Sequence, residues 1–212
     1  MTMTYTELKT NIADVCENSF TDAQLALFTE QAEQKIYSAV QFPALRKNVT
    51  GRTQASNQYL TVPISDFLYT YSLAVIDSNG SFTYLLNKDV NFIREAYPIP
   101  TTTGLPKHYA YFSQTSFLLG PTPTNVYDVE LHYGYYPESI VTAGTTWLGT
   151  EFDSALLNGS LVEAIRFLKG EPDMVAMYEK LYAESMLLLK NLGDGKLRAD
   201  TYRSGQPRMA VL

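Results

Sequence analysis

The spacing of apolar side chains changes twice along this chain of 212 residues. Before about residue 42 and after about residue 152, apolar residues recur every three or four positions, which is typical of amphipathic helices. Between about residues 48 and 146, short alternating or aromatic runs are separated by Gly, Pro, Asn and Asp, which is typical of strands and turns. This order predicts an α+β fold in which a single domain, residues 1–194, carries a central antiparallel β insertion.

Four helices are predicted, two on each side of the β segment, and together they predict a helix bundle. The N-terminal pair covers residues 4–17 and 22–42, and Thr4 stands at the start of the first helix with the spacing of a capping box, a start signal that Thr21 repeats for the second. The C-terminal pair covers residues 152–169 and 172–192. The linker between these last two helices is so short that they are expected to be antiparallel.

The end of the last predicted helix is marked by Gly193, which is expected to act as its C-cap. Residues 195–212 lack periodic apolar positions and are predicted to form an extended C-terminal arm. Residues 193–212 carry four bases and two acids, whereas the whole chain carries 16 bases and 22 acids. The arm is therefore a basic segment on an acidic body, and it is either a frayed terminus or a segment that becomes ordered on a partner.

Six strands are predicted in the β segment, with a turn at Asn79-Gly80 between two of them. A short helix or helical turn is predicted at residues 87–97. The predicted strands are residues 58–62, 68–76, 82–85, 109–112, 117–119 and 127–135.

The composition excludes several classes of partner. A net charge of −6 argues against tight, sequence-independent binding of duplex DNA, which needs a basic surface. The sequence has neither the pattern of a signal peptide nor a run of about 18 apolar residues, so no secretory signal and no membrane span are predicted. The single cysteine, Cys16, lies in a predicted helix, which favours a buried structural thiol over a disulfide.

The sequence contains no motif for phosphate, nucleotide or metal-dependent catalysis. His108 and His132 lie on separate predicted strands, without the companion ligands that a metal site needs. Asp128 and Glu130 alternate with apolar residues, which favours a half-buried strand over a glycosidase carboxylate pair. The sequence therefore predicts no catalytic residue, no metal site and no cofactor, and a small hydrolase is only an alternative.

Tyrosine is unusually frequent, with 16 residues, and three of them fall within four positions: Tyr133, Tyr135 and Tyr136. Tyrosine buries a large ring while its hydroxyl group stays hydrated, a combination that is common at subunit interfaces. These three residues are therefore predicted to contribute to a subunit interface. The alternative is a stacking surface for sugars, in a carbohydrate-binding or receptor-facing β module.

A series of short motifs resembles, in its order, the head-to-tail adaptor proteins of tailed bacteriophages. The resemblance covers residues 3–192. The motifs are MTYTELKTNIADVCE (3–17), FTDAQLALFTEQAEQKIYSAV (20–40), VPISDFLYTYSLAV (62–75), GLPKHY (104–109), the PTP turn (121–123), the strand that ends in Tyr135-Tyr136, and a C-terminal helical run from TTWLGTEFDSALL to MLLLK (145–190).

This resemblance implies a structural virion protein that is not an enzyme. It implies a homo-oligomeric ring, commonly twelvefold, which assembles in the host cytoplasm and lies at the neck of the virion. The ring would dock under the portal protein, present a platform to the tail tube or nozzle protein, and leave a channel for DNA without sequence-specific binding. An acidic body suits such a channel, because a basic lumen would retain DNA.

The resemblance also implies a role for the basic arm. In that family a C-terminal segment frequently reaches into the portal, so the arginines are expected to meet an acidic portal surface and the apolar end to anchor the arm. The arm residues predicted to bind the portal are Arg198, Arg203, Arg208, Met209, Val211 and Leu212.

Overall fold

The computed structural model describes residues 2–63 and 65–198. The chain divides into two compact units. Met1–Leu45 and Tyr136–Leu212 form the first, here called the helical unit, and Arg46–Tyr135 form the second, the β unit. The β unit is therefore an insertion in the sequence of the helical unit. That the two units fold as one domain stays a prediction, which a single cooperative unfolding transition would support.

The structure is of the mixed α+β class, and its described part contains seven α-helices. Six of them belong to the helical unit, which also has a 3₁₀ turn at Pro43–Leu45. They are α1 (Tyr5–Val15), α2 (Asp22–Ala39), α4 (Ile140–Ala143), α5 (Trp147–Glu151), α6 (Asp153–Phe167) and α7 (Pro172–Arg198), while α3 (Val90–Ala96) belongs to the β unit. None of the described helices is long and apolar enough to cross a membrane.

The first two helices begin where the capping signals predict. The Thr4 hydroxyl accepts a hydrogen bond from the amide of Glu7, and the Glu7 carboxylate accepts one from the amide of Thr4. Thr21 and Gln24 make the same reciprocal pair at the start of α2. Helix α2 ends at Ala39, earlier than the predicted residue 42, because the backbone is already extended at Val40.

Helix α6 lies at the centre of the helical unit and packs against α1, α2, α5 and α7. Gly159 of α6 allows a close approach, because a Cβ atom there would lie 3.1 Å from both the Ala32 Cβ and the Tyr182 ring. Several large apolar side chains between these helices are almost completely buried. They include Leu8, Ile12, Phe28, Ile36, Ile140, Leu148, Leu156, Leu161 and Leu189.

The prediction that Gly193 ends the last helix is wrong, because α7 continues to Arg198. Gly193 is instead a site of close packing. A Cβ atom at this position would lie 2.5 Å from the backbone carbonyl oxygen of Gln41 and 3.2 Å from the Phe42 ring. A glycine that follows an apolar helical pattern can thus mark a contact with a neighbouring segment rather than the end of the helix.

The β unit contains two four-stranded sheets and one two-stranded sheet. Sheet A has the strand order β1-β10-β3-β4, sheet B has β2-β8-β7-β5, and β6 pairs with β9. The strands are β1 (Arg46–Arg52), β2 (Tyr59–Thr61), β3 (Tyr69–Ile76), β4 (Phe82–Tyr84), β5 (Leu86–Asn87), β6 (Thr103–Gly104), β7 (His108–Ser113), β8 (Ser116–Gly120), β9 (Thr122–Pro123) and β10 (Asp128–Gly134).

The pairing is mostly antiparallel, as predicted, with two short exceptions. The pairs β5–β7 and β6–β9 are parallel. A single core fills the space between sheets A and B. Its buried members are Leu60, Val62, Leu73, Val75, Leu85, Tyr109, Phe117, Leu119, Val129, Leu131 and Tyr133.

Several elements were not predicted from the sequence, among them β1, α4, α5 and the two-residue strands β5, β6 and β9. Strand β1 is polar and largely exposed, and its register with β10 places Val49 opposite Leu131. Helices α4 and α5 are only one turn long, and α4 lies inside the stretch predicted to be β structure. Such short or polar elements leave little periodic signal in a sequence.

Candidate interaction surfaces

The three clustered tyrosines occupy three different environments. Tyr133 is only 4% exposed, and its ring lies 5.8 Å from that of Phe67 in the core of the β unit. Its hydroxyl group donates a hydrogen bond of 3.3 Å to the Asp66 carboxylate. Tyr133 therefore has almost no surface left for a neighbouring subunit, because alternation along β10 turns its side chain inwards.

Tyr135 and Tyr136 keep part of their surface. Tyr135 is half-buried, and the Lys47 ammonium group lies 4.0 Å from its ring centroid. Tyr136 is exposed, its ring stacks on that of Tyr37 with centroids 6.1 Å apart, and its hydroxyl group lies 3.0 Å from the Ser38 hydroxyl. The interface proposal therefore rests on Tyr135 and Tyr136 alone.

Helix α7 carries two apolar faces. One face packs against the apolar core of the helical unit and includes Tyr182, Met186 and Leu189. The other face is exposed to solvent and is here called the α7 stripe. Its members are Met174, Met177, Leu181, Leu188 and Leu192.

The α7 stripe could have been found from the sequence. At 100° per residue, the large apolar residues of this helix other than Leu187 cover an arc of about 200°, which is wider than one packed face needs. When only the recurrence of apolar residues every three or four positions is considered, all of these residues are assigned to a single face. The projected angles divide them into two groups, because Leu181 and Leu188 lie about 20° apart whereas Leu189 lies about 100° from Leu188.

The arm residues lie at or beyond the end of the described chain. Arg198 is the last residue of α7 rather than part of an extended segment. The predicted portal-binding residues Arg203, Arg208, Met209, Val211 and Leu212 lie outside the described residues.

Two of the reactive side chains considered in the sequence, His108 and Asp128, have structural partners. The His108 Nδ1 atom lies 2.9 Å from the Tyr97 hydroxyl, and burial, with the nearby Lys88, lowers the pKa of His108. The Arg52 guanidinium donates a hydrogen bond of 2.7 Å to Asp128. Burial raises the pKa of the Cys16 thiol, which disfavours the nucleophilic thiolate. Within residues 2–63 and 65–198, no group of three or more His, Cys, Asp or Glu side chains could hold a metal ion.

One buried carboxylate was not singled out from the sequence. Glu33 of α2 accepts a hydrogen bond of 2.9 Å from the backbone amide of Ile140, the first residue of α4. Burial raises the pKa of this carboxyl group, and its hydrogen bonds with Ser139 and Ile140 oppose that shift. Ser139 is the N-cap of α4 and accepts a hydrogen bond from the Val141 amide, so the Glu33 carboxylate satisfies a second free amide at this helix start from a distant part of the sequence.

The fold and these surfaces define a mixed α+β protein with exposed apolar side chains on its longest helix, a feature that marks protein–protein contact surfaces. Residues 3–208 match the family described as SU10 adaptor protein. The chain belongs to this family and is a phage head-to-tail adaptor protein, as its sequence motifs predict. No curated protein matches the chain in sequence.

Proposed function

We propose that this chain is one subunit of an adaptor ring that docks under the capsid portal and connects head to tail, leaving a channel for DNA. Membership of the adaptor family supports a virion role of this kind. The observation that carries the proposal is the α7 stripe, an apolar surface on a helix that already has one packed face. An adaptor subunit needs such a surface, because it must bind both its neighbours and the portal.

The ring is proposed to be built from the helix bundle formed by α1, α2, α6 and α7. In this arrangement the α7 stripe contacts a neighbouring subunit, and Tyr135 and Tyr136 add aromatic surface to the interface. Twelve copies are expected from the family resemblance. Identical subunits that contact each other head to tail close into a ring when the rotation between them divides a full turn.

The arm is proposed to bind the portal. Arg198 ends α7, so the arm follows directly from the helix that carries the stripe. Arg203 and Arg208 would pair with acidic groups of the portal, and the apolar residues Met209, Val211 and Leu212 would be buried beside them. The tail tube or nozzle protein is the proposed partner on the other side of the ring.

The test is size-exclusion chromatography with light scattering, on the chain alone and with the portal protein of the same phage. We expect an oligomer, formed alone or on the portal, with the mass of a ring. A variant with Arg198, Arg203 and Arg208 changed to Ala should bind the portal at least about tenfold more weakly, since truncating one partner of a buried, hydrogen-bonded charge pair costs about 2–5 kcal/mol.

The matched control removes three exposed lysines of the helical unit, Lys169, Lys180 and Lys190, and so makes the same change in net charge. If both triple variants lose portal binding equally, the effect is one of total charge and the arm has no specific role. If the unaltered chain binds no portal or neck component, the proposed function is wrong.

A carbohydrate-binding β module is a second candidate, because Phe82 and Tyr84 present stacked, exposed rings with centroids 6.4 Å apart. Binding on a glycan array that disappears with Tyr84→Ser would favour it. An array without binding would dismiss it.

A further inference from the structure

Residues 82–87 form one continuous extended segment that belongs to both large sheets. Its first part, β4, pairs with β3 of sheet A, and its last part, β5, pairs with β7 of sheet B. Between them, Leu85 is buried in the core, and its amide donates a hydrogen bond of 2.8 Å to the Leu73 carbonyl oxygen. On this side of the β unit, the two sheets are thus joined by a shared strand.

The outer face of this segment carries a row of large apolar side chains. Strand alternation turns Leu85 inwards and Phe82, Tyr84 and Leu86 outwards. These three side chains are 47%, 64% and 60% exposed, respectively. We call them the apolar row.

At their opposite edges, the same two sheets are not joined by a described strand. Strand β1 is the far edge of sheet A, and β2 is the far edge of sheet B. A cleft of about 440 Å³ opens between them. Its apolar lining includes Val49 on β1, Leu60 on β2, Val62 directly after β2, and Leu73 and Leu131 on the floor.

The row and the cleft are complementary: the row is an exposed apolar surface, and the cleft is an opening lined mainly by apolar side chains. We propose that Phe82, Tyr84 and Leu86 of one subunit insert into the cleft between β1 and β2 of the next subunit. The inference rests on the proposed ring function and names the β-unit contact that would hold the ring together. Because the two surfaces lie at different edges of one subunit, the contact is head to tail, which is the kind that generates rings.

The areas involved are consistent with an interface anchor. A buried aromatic side chain covers about 150–250 Å², so the exposed parts of the apolar row would bury roughly 300 Å² on the side that inserts. A stable interface buries about 800 Å² on each partner. The row therefore supplies the central part of a larger contact and does not form the whole of it.

The charges beside the cleft do not oppose this contact, because they are already compensated within the subunit. Lys47 donates a hydrogen bond of 2.7 Å to Asp66, and Arg52 pairs with Asp128 at the same distance. The Arg46 guanidinium lies 4.1 Å from the ring centroid of Tyr71. Of these three cations only Arg52 lines the cleft, and it is paired with Asp128, so an approaching apolar strand would bury no lining cation that lacks a carboxylate partner.

Cysteine cross-linking tests the proposal in a Cys16→Ser background. Val49→Cys places a thiol in the cleft, and Tyr84→Cys places one in the row. A mixture of the two single variants should give cross-linked dimers only, whereas a chain carrying both substitutions should give a ladder up to the full ring. A mixture of Val49→Cys with Ile99→Cys is the matched control, because Ile99 is also exposed and lies outside the row.

A second measurement follows self-association without a cross-link. Leu86→Ser should weaken it by at least about tenfold, as expected for a residue at the centre of an interface. Ile99→Ser should leave it unchanged, although Ile99 is 58% exposed and Leu86 is 60% exposed. Both variants remove a side chain that is mostly in water, so their melting temperatures should stay close to that of the unaltered chain.

The cross-linking is done on the free protein and on the portal-bound protein. A ring in which the thiols introduced by Val49→Cys and Tyr84→Cys do not cross-link would overturn the β-unit contact and leave the adaptor function standing. Cross-linking of Val49→Cys with itself would also overturn it, because this result indicates a two-fold contact between β1 edges. A ladder from the doubly substituted chain, in a protein that binds no portal, would support the contact and count against the adaptor function.

Discussion

The carboxylate of Glu33 and the backbone amide of Ile140 are joined by a buried hydrogen bond of 2.9 Å. The bond links α2 to the start of α4, so it holds the chain where it re-enters the helical unit after the β insertion. Burial raises the pKa of Glu33, and this makes the link sensitive to pH.

The first prediction concerns Glu33→Gln. A carboxyl group with a raised pKa in the folded state favours folding while it is protonated, and this contribution is lost as pH rises through the folded-state pKa. Lowering the pH from 7 towards the ordinary value of 4.5 should therefore raise the melting temperature of the unaltered chain relative to Glu33→Gln. Thermal melts at several pH values measure this difference. A difference between the two chains that does not change with pH would contradict the prediction.

The second prediction compares two glycines of α7. Gly193→Ala should lower the free energy of unfolding by about 1–3 kcal/mol, because the new Cβ atom would lie 2.5 Å from the Gln41 carbonyl oxygen. Gly195→Ala should raise this free energy by up to about 1 kcal/mol. The new Cβ atom would have no neighbour within 4 Å beyond the adjacent residues and the backbone of the helix, and alanine favours a helix over glycine. Denaturant titration measures both values. Equal effects of the two substitutions would mean that Gly193 is not a packing position.

The third prediction separates the two faces of α7 at adjacent residues. Leu189 is completely buried, so Leu189→Ala should cost about 2–5 kcal/mol of unfolding free energy. Leu188 is 65% exposed, and Leu188→Ala should change stability by less than about 0.5 kcal/mol. If the α7 stripe is an interface, Leu188→Ala should instead weaken self-association or portal binding, as measured by light scattering. Unchanged association would remove Leu188 from the proposed interface.

The fourth prediction concerns alkaline unfolding. Burial, together with the nearby Tyr111, raises the pKa of Tyr109 to about 12, against an ordinary value of 10. Stability should therefore fall between pH 10 and 12, because the unfolded chain ionises first, and the contribution of Tyr109 to this loss is roughly 2–3 kcal/mol. Tyr109→Phe should make the alkaline limb of the stability curve shallower. The same slope in both proteins would show that Tyr109 does not control it.

The sequence predicted the elements whose cause is local. The capping boxes at Thr4 and Thr21 depend on side chains three residues away, and both are present as predicted. Strand β1 was not predicted, because its polar residues become a strand only by pairing with β10, which lies far along the chain. The predicted end of α7 at Gly193 was wrong for a similar reason. Gly193 packs against Gln41 and Phe42, which lie far away in the sequence, so the residues around Gly193 do not reveal this contact.

The candidate surfaces were predicted less well than the fold. Grouping Tyr133 with Tyr135 and Tyr136 followed their proximity in sequence, but burial in the core distinguishes Tyr133 from the exposed Tyr136. The apolar row was not foreseen, because a strand of alternating residues does not reveal whether its outer face is covered by another element. The exposure of Phe82, Tyr84 and Leu86 in the folded β unit shows that this face is open.

The shared strand at residues 82–87 has a consequence for how the β unit opens. These residues pair with β3 of sheet A at one end and with β7 of sheet B at the other. If the segment detaches from either sheet, its hydrogen bonds to the other sheet should therefore break as well. The two sheets should then behave as one cooperative unit in hydrogen exchange, with the amides of Leu85 and Leu86 protected to a similar degree. On the cleft side, no described strand joins β1 to β2, and their amides should exchange earlier through local fraying.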